Sequence, residues 1–559
     1  MDVPAALRSL DLSREDDVPD LAWLTASHDD PPAFWSALAE HARRIAPAPR
    51  SRPGQAYDLY HDTVGRHAAT TRVALVVHDR RAGWRSLSYA ELAARASACA
   101  QAWALAGVAP GAAVALVLPL GVDWLVAFAA ALRLGLVVSF LAPAGEHALL
   151  RRLKALDPAH VVVDPAAPPL GPFAERALRL VEGGPPHAAP PHAYAPDEPC
   201  ARLFSPLRAP LAEPVDLAAE IAWQNAYRDA VFAYRLGAGA GDALALPGFP
   251  PQQHQPAALM ATMLAGASFV HLPLADIEAN PALLHEQPIT TLGVAPALCE
   301  LLRKTPLGPP PKLRHWLKSV DEPLDWVAWN DFVRRNDLGK IPTSNLLVDA
   351  ASGGAVLFSA RRPGSLQALA LPAPGRPFAL FDAAGSGEPA AGGVGVFVPM
   401  PGGDPEKDGW FLLARRGSEY LWGSTLAPRR AGRVFPASEV VERASAIPGV
   451  AGACVLPIAT GDPGARWAFA LLVFTGAARS LAAAPAPPAA AVEAALREDL
   501  GPDFVPDRIS VFPLFPRRKG GKVDAEWCRR QYSSGLLVRK ASHPVFRRLA
   551  ELRGSLLGA

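Results

Sequence analysis

The run from Ala112 to Ala144 constrains the fold more than any other part of the chain. It is almost continuously apolar, but Pro119, Asp123 and Arg133 divide it into pieces. Each piece is shorter than the roughly 20 residues that a membrane-spanning helix needs, so no membrane span is predicted. A short apolar run, a helix-length segment and a second short run are typical of a strand–helix–strand unit whose strands are covered on both faces.

The same alternation of strand and helix patterns continues along the chain. Amphipathic or apolar helical patterns, several followed by short apolar strands, cover residues 88–107, 219–237, 256–273 and 290–304. Alternation on this scale predicts mixed α/β layers with largely parallel sheets. From about Arg433 a compact α+β pattern begins, and the boundary before it is predicted between Trp422 and Gly432.

Composition excludes several classes of protein. Half of the residues are hydrophobic and 19% are charged, so the chain can bury a large interior. A formal charge of +2 gives no electrostatic reason to expect a nucleic-acid or anionic-membrane partner. The five cysteines form no CxxC pair and are predicted to be reduced, buried thiols. The N-terminus is acidic and lacks an apolar signal core, which favours a cytoplasmic protein.

The stretch from Leu317 to Gly354 carries the clearest functional pattern. An Asp-Glu-Pro turn is followed by two tryptophans, then by an apolar strand that ends in the residues DAASGG. This stretch resembles the acetyl-CoA synthetase branch of the AMP-forming adenylating enzymes, the superfamily of acyl-CoA synthetases and AMP-dependent ligases. Segments in the same order over most of the chain share the resemblance, including TTLGVAPALCELL and the C-terminal RRKGGKVDAEWCRR.

The resemblance implies a fold and a set of ligands. The fold is α/β: a large N-terminal domain of two α/β subdomains plus a small β-barrel, and a smaller C-terminal α+β lid domain. The expected domains are residues 1–425 for the AMP-binding-like part, 426–535 for the lid and 536–559 for a helical tail. The family's ligands are ATP or AMP, CoA and a small carboxylic acid or acyl-CoA, with magnesium only if the chain is active.

The segment that should hold the phosphates of ATP has lost the features of such a loop. Backbone N–H groups must approach phosphate oxygens closely, which favours glycine. The matching segment, Arg202 to Pro214, contains no glycine and three prolines, and Glu213 stands at about the place of a phosphate-binding lysine. Arg208 is the candidate that could still contact a phosphate. The alternative is an ordinary solvated loop arginine.

The acid that orients magnesium in this family falls on Ala351. Asp349 would share a strand face with Ala351 and is therefore a candidate nucleotide-site ligand. The alternative for Asp349 is a strand-end cap or a partner of a nearby arginine. Gly353 and Gly354 match the family's glycine pair, and their alternative is a tight strand turn. No metal site is predicted.

Two further parts of the family's nucleotide site are the adenine-contacting turn and the ribose-binding acid. The sequence retains most of the first and lacks the second. Glu322 and Pro323 match the adenine-contacting turn and are candidate cofactor-binding residues, although Asp321 replaces its glycine. The ribose-binding acid is missing, because after Trp410 no acidic residue follows until Glu419.

Lys522 is the candidate catalytic residue. It matches the lid lysine that contacts the acyl phosphate oxygens as the adenylate forms, and it follows two glycines. The alternative is a surface turn rich in basic residues.

These residues favour a degenerate acyl-CoA synthetase homologue that binds an acyl ligand, a CoA-like ligand or a protein partner without catalysis. Each missing transition-state contact typically costs roughly 10²- to 10³-fold in rate. A divergent ligase, in which Arg208, Asp349 and Lys522 rebuild the phosphate site, is the alternative. A CoA-thioester-binding or scaffold protein is a third hypothesis. Whether the chain is an enzyme stays open at this level, and neither the acyl substrate nor a protein partner can be predicted.

Overall fold

The computed structural model describes most of the chain between residues 26 and 541. The described ranges are 26–44, 48–142, 145–205, 207, 214–237, 241–320, 326–361, 369–382, 393–399, 411–416, 419–425, 429–430, 433–458, 468–476, 487–519 and 522–541.

The first unit is built on a six-stranded sheet. Its segment of the chain contains α1 (Pro31–Arg44), α2 (Leu59–Thr63), β1 (Val73–Asp79), β2 (Gly83–Ser88), α3 (Tyr89–Leu105), β3 (Ala113–Val117), α4 (Val122–Leu134), β4 (Val137–Leu141), α5 (Glu146–Leu156), β5 (His160–Val163), β6 (Ala177–Leu178), β7 (Pro199–Leu203) and β8 (Val215–Ala218). The strand order is β6-β5-β3-β4-β7-β8, and only the β7–β8 pair is antiparallel. The strands β1 and β2 lie in this segment of the chain but belong to the second sheet.

The second unit is a thirteen-stranded sheet. Its further elements are α6 (Ala219–Arg228), β9 (Ala243–Ala245), α7 (Pro251–Ala265), β10 (Ser268–His271), α8 (Leu274–Ala279), α9 (Leu283–Glu286), β11 (Thr291–Gly293), α10 (Pro296–Lys304), β12 (His315–Ser319), α11 (Trp326–Arg335), β13 (Thr343–Asp349), β14 (Gly354–Arg361), β15 (Leu369–Pro372), β16 (Phe378–Asp382), β17 (Val394–Pro399), β18 (Phe411–Arg416) and β19 (Glu419–Thr425). The order is β16-β17-β18-β19-β15-β14-β13-β12-β11-β9-β10-β1-β2.

The C-terminal module has its own three-stranded sheet in the order β22-β23-β24. Its elements are β20 (Arg429–Arg430), β21 (Arg433–Val434), α12 (Ala437–Ser445), β22 (Gly452–Ile458), β23 (Ala468–Phe474), α13 (Ala489–Leu500), β24 (Arg508–Phe512), β25 (Arg518–Lys519), β26 (Lys522–Val523), α14 (Ala525–Ser533) and α15 (Leu536–Ala541). The short pairs β20–β21 and β25–β26 are antiparallel hairpins.

The predicted strand–helix–strand unit is present as β3, α4 and β4. All three elements are largely buried, and β3 pairs with β4 in parallel, which explains the continuous apolar run. The helix α4 ends at Gly135, whose φ of 77° is the left-handed conformation that glycine adopts most easily. The preceding helix α3 begins with a capping box between Ser88 and Glu91, and Gly107 follows its end.

The prediction of an α/β fold with a C-terminal α+β module is confirmed. Parallel pairing is limited to β1, β9, β10, β11, β12 and β13 in the large sheet, whereas β13 through β19 pair antiparallel. The large sheet is therefore mixed rather than largely parallel. No helix among the described residues has both the length and the apolar character needed to cross a bilayer.

The helix predicted over residues 219–237 is not a regular α-helix to its end. The α-helical part stops at Arg228, and a π turn covers Asp229–Ala233, closed by a 2.8 Å bond from the Tyr234 N–H to the Asp229 carbonyl. Short 3₁₀ turns lie elsewhere, at Gly65–His67, Gly171–Arg176, Leu338–Lys340, Ala350–Ser352 and Pro502–Phe504. The physical reason for the π turn is a contact that Asp229 makes with a distant strand, described below.

Two buried histidines, His67 and His315, and the half-buried His271 have lowered pKa values that favour the neutral ring, and stability should therefore depend on pH. Burial lowers the pKa of His67 and of His315 to about 3, and that of His271 to about 4. The unfolded chain, with histidine pKa values near 6.5, thus binds protons that the folded chain does not. Stability should be fully present above about pH 6.5 and fall as the pH drops towards about 4.

The substitution His315→Gln tests this pH dependence. The Gln amide reaches the position of the His315 Nε2, which lies 2.9 Å from the Ser344 hydroxyl, so it retains a polar partner for Ser344 but does not titrate. The urea midpoint of the variant should fall less steeply than that of the parent between about pH 6.5 and about pH 4. If the urea midpoints of the two proteins fell equally with pH, protonation of His315 would not contribute to the pH dependence of stability.

Candidate functional site

The candidate site lies at the carboxyl end of β13, where the resemblance places the nucleotide. After Asp349 the chain makes the 3₁₀ turn Ala350–Ser352 and then continues into β14. The turn is closed by a 2.9 Å bond from the Gly353 N–H to the Ala350 carbonyl. Every residue from Asp349 to Ser352 is buried, Ala351 included, so the turn points its side chains into the protein.

Asp349 is enclosed at this position. Its side chain has no exposed surface, and its Oδ2 accepts a 2.8 Å hydrogen bond from the Ser352 hydroxyl. The bond joins the last residue of β13 to the last residue of the turn and thus stabilises the turn itself. This hydrogen bond fits the alternative interpretation of Asp349 as a strand-end cap. A role of Asp349 in nucleotide binding stays a prediction.

Gly353 and Gly354 are both needed by local geometry. Gly353 has φ of +75°, and a Cβ atom there would lie 3.2 Å from the Leu217 side chain. A Cβ at Gly354 would lie 2.2 Å from the Asp229 Oδ2, which is too close for any side chain. The glycine pair is therefore explained by packing without a ligand.

A buried ion pair, Arg228 with Asp229, fastens the start of β14 to the end of α6. The Arg228 Nε donates to the Asp229 Oδ1 at 2.8 Å, and both side chains are almost fully buried. The Ala355 N–H donates to the Asp229 Oδ2 at 2.6 Å, while the Ala355 carbonyl accepts from the Arg228 Nη2 at 2.8 Å. The pair thus holds both backbone groups of Ala355. This contact accounts for the π turn, because it fixes where Asp229 must point.

The turn is also held from two other directions. The Ser352 carbonyl accepts a 2.8 Å bond from the Asn225 Nδ2 and a 3.0 Å bond from the Arg376 Nη2. Asn225 in turn accepts a 3.0 Å bond from the Arg228 Nη1. Asn225, Arg228, Asp229, Ser352 and Arg376 therefore form one connected network, which we call the turn network.

Burial raises the pKa of Asp229, and the positive charge of Arg228 opposes that rise. An ion pair that is removed from water is tolerated only when its remaining donors and acceptors are also satisfied. Bonds to Asn225 and to both backbone groups of Ala355 satisfy this requirement. The turn network is hence expected to be rigid.

Lys522 lies in a different part of the molecule, in the β25–β26 hairpin of the C-terminal module. It is exposed and pairs with Lys519 across the hairpin. Asp524, two residues later, caps α14 by accepting a 3.0 Å bond from the Trp527 N–H and lies 3.6 Å from Arg517. The hairpin is thus a basic surface turn in form. The structure brings Asp349, Gly353 and Gly354 together, and Lys522 lies apart from their sheet.

Three candidate residues, Arg208, Glu322 and Pro323, lie outside the described residues, as does Glu213. Their roles stay predictions. Among the described residues no group of three histidine, cysteine or acidic side chains is arranged to hold a metal ion.

The sequence prediction missed Asn225, Arg228, Asp229 and Arg376. A signal was present in part, because Arg228 and Asp229 are charged neighbours within a helical segment that is buried on most sides. Their partners lie far away in the chain, on β14 and beyond it, and no local pattern reveals such contacts.

Comparisons with known proteins agree with this fold. Residues 64–203 match the family model described as AMP-binding enzyme. The matched segment ends at Leu203, the last residue of β7, and so includes only the first two residues of the segment Arg202 to Pro214. A search of curated proteins gave no match.

Two solved structures illustrate the shared fold. One is a double mutant of o-succinylbenzoate CoA synthetase from Bacillus subtilis bound with a product analogue, 15% identical, with a TM-score of 0.65 over 85% of this chain and 98% of that one. The other is IdnL1, 19% identical, with a TM-score of 0.59 over 83% of this chain and 100% of that one. At such identities the likeness establishes the fold.

The Arg228–Asp229 pair should be important for stability. Arg228→Met would leave a buried carboxylate without its cation and should lower the free energy of unfolding by about 3–5 kcal/mol. Arg202→Met is a matched control, because Arg202 makes a similar two-point contact with Asp216 on the surface, at 2.6 and 3.0 Å. Its loss should stay below about 1 kcal/mol in urea unfolding. Equal losses for the two variants would contradict the structural role of the buried pair.

Proposed function

We propose that this chain, a member of the AMP-binding superfamily, binds an acyl or CoA-like ligand or a protein partner without forming an acyl adenylate. It is similar to acyl-CoA synthetases, and we assign residues 1–425 to the AMP-binding-like domain, 426–535 to the lid and 536–559 to the tail. We place the protein in the cytoplasm, where its five free cysteines would remain reduced.

The observation that carries this proposal is the enclosed turn after β13. Adenylation requires a carboxylate that orients magnesium between the phosphates, and that position is Ala351. The neighbouring carboxylate of Asp349 is buried and bonded to Ser352. For Asp349 to replace the missing acid, its carboxylate would have to become accessible, and a ligand would compete with the Ser352 hydroxyl for the Oδ2 atom.

The sequence adds two further losses to this one. The segment from Arg202 to Pro214 lacks glycine, and the ribose acid is missing between Trp410 and Glu419. Losing one preorganised contact typically costs roughly 10²- to 10³-fold in rate, and the combined loss could exceed about 10⁵-fold even when the effects are not additive. An exposed Lys522 would not offset such a loss.

The ligand class follows from the relatives. The o-succinylbenzoate CoA synthetase structure is bound with its product analogue OSB-NCoA. We propose that an acyl-CoA or a small carboxylic acid is the class that this chain would bind, and that ATP is not required for binding.

The second candidate is a divergent AMP-forming ligase that activates a small carboxylic acid with ATP, magnesium and CoA. One observation favours it: Lys522 is exposed on a hairpin and matches the catalytic lysine of the family. In this case Arg208, Asp349 and Lys522 would form the phosphate site.

A steady-state assay separates the two candidates. Purified protein is incubated with Mg·ATP and a panel of short-chain acids, with and without CoA, and AMP is quantified. We expect no carboxylate-dependent AMP above the ATP-only blank, and no difference between the parent and Lys522→Ala. Carboxylate-dependent AMP that disappears in Lys522→Ala would overturn the proposal and establish the ligase. The matched control is Lys519→Ala, which removes the neighbouring cation of the same hairpin.

A further inference from the structure

The C-terminal module packs against α5 of the first unit. Ala148, on α5, is buried in an apolar cluster whose other buried members lie between Phe435 and Val505, in the module. The helix α5 also lies alongside α13. At the start of α5 the two backbones meet, because a Cβ atom at Gly145 would overlap the carbonyl group of Asp499. The module therefore has a specific neighbour in the N-terminal part of the chain.

Ion pairs surround this apolar contact. Arg151, on α5, forms an ion pair with Glu442 on α12, and both side chains are partly exposed. Within the module, Arg443 of α12 forms an ion pair with Asp499 of α13. The first pair joins α5 to the module, and the second joins the two helices of the module to each other. The helix α5 thus meets a surface made by α12 and α13 together.

Arg152, the next residue on α5, supports the contact with a buried charge. It has 7% of its surface exposed, while Glu439 on α12 has none. Burial lowers the pKa of the Arg152 guanidinium group, and the negative charge of Glu439 opposes this effect. A buried arginine is tolerated when a carboxylate balances its charge. The charges of α5 and α12 are therefore complementary inside the contact as well as at its edge.

The Lys522 hairpin lies on the other side of the module. Successive side chains of β22 point to opposite faces of its sheet. Ala453 belongs to the apolar cluster that contains Ala148, whereas Leu456 belongs to a second cluster with residues of α14 and α15. Val523 of the hairpin packs against this second cluster. The helix α5 and the hairpin thus lie on opposite sides of the three-stranded sheet.

We propose that the contact of α5 with α12 and α13 is autoinhibitory, because it holds the C-terminal module in a position from which Lys522 does not reach the turn after β13. Lys522 approaches the turn only when the contact opens. The contact is suited to opening, since its apolar part on α5 is a short alanine side chain and a partly exposed ion pair such as Arg151–Glu442 contributes little. The inference does not rest on the proposed function, because it concerns the position of the module whether or not a nucleotide binds.

Hydrogen exchange of the full chain, without any ligand, tests the contact. Arg151→Glu places two negative charges together, and Glu442→Arg places two positive charges together, so each should speed amide exchange in α5 and α13 several-fold. The double variant restores opposite charges and should return the exchange rates to those of the parent. The matched control is Arg497→Glu, which breaks an exposed pair with Glu493 inside α13 and should leave exchange in α5 unchanged. Equal exchange in α5 in all of these proteins, or a double variant that exchanges as fast as the single ones, would overturn the proposal.

Cross-linking tests the position of the hairpin. In the parent, a short lysine-reactive cross-linker should rarely join Lys522 to lysines of residues 1–425, such as the exposed Lys154 and Lys340. Ala148→Glu puts a charge into the apolar cluster and should increase these links several-fold. If circular dichroism shows that this variant does not fold, Arg151→Glu takes its place, with a smaller increase expected. Links that are as frequent in the parent as in a folded variant would refute the autoinhibitory role of the contact.

Discussion

The buried pair between Arg228 and Asp229 is the interaction on which the candidate site depends. It ends the regular part of α6, holds both backbone groups of Ala355, and leaves room only for glycine at position 354. Through Asn225 the same pair connects to the Ser352 carbonyl. A buried ion pair is stable only when its hydrogen bonds are made, so the pair helps to fix the geometry of the turn after β13.

This constraint explains the frame of the turn after β13 through local contacts. The glycine pair and the strand–turn–strand geometry are required by packing against Leu217 and Asp229, and they would persist without selection for ATP. The carboxylate of Asp349 is used to close the turn through Ser352. An anion-binding site needs donors or a metal facing the ligand, whereas the donors of Asn225 and Arg376 face the Ser352 carbonyl.

The sequence predicted the parts of the fold that depend on local pattern. The unit β3–α4–β4 was predicted from long apolar runs, because strands buried on both faces consist of consecutive apolar residues. The end of α3 was predicted from Gly107, because a helix cap involves residues that are neighbours in the sequence. The π turn at Asp229 and the bonds from Asn225 and Arg376 to the Ser352 carbonyl were not predictable. Each depends on a partner far along the chain, and the residues involved look ordinary in their local context. Of the candidate site, the glycine pair and Asp349 lie at one turn and their role in cofactor binding stays a prediction, while the arginines that hold this turn were missed.

If the turn after β13 is closed by its own contacts, as we propose, it does not take part in binding a triphosphate. Isothermal titration calorimetry of the full chain with Mg·ATP, carried to millimolar nucleotide, tests this most directly. We expect no saturable heat from Mg·ATP, with or without a short-chain acid, in a protein that remains folded by circular dichroism. Saturable binding of Mg·ATP that is lost in Asp349→Asn would contradict it, because Asp349 would then face the nucleotide rather than Ser352.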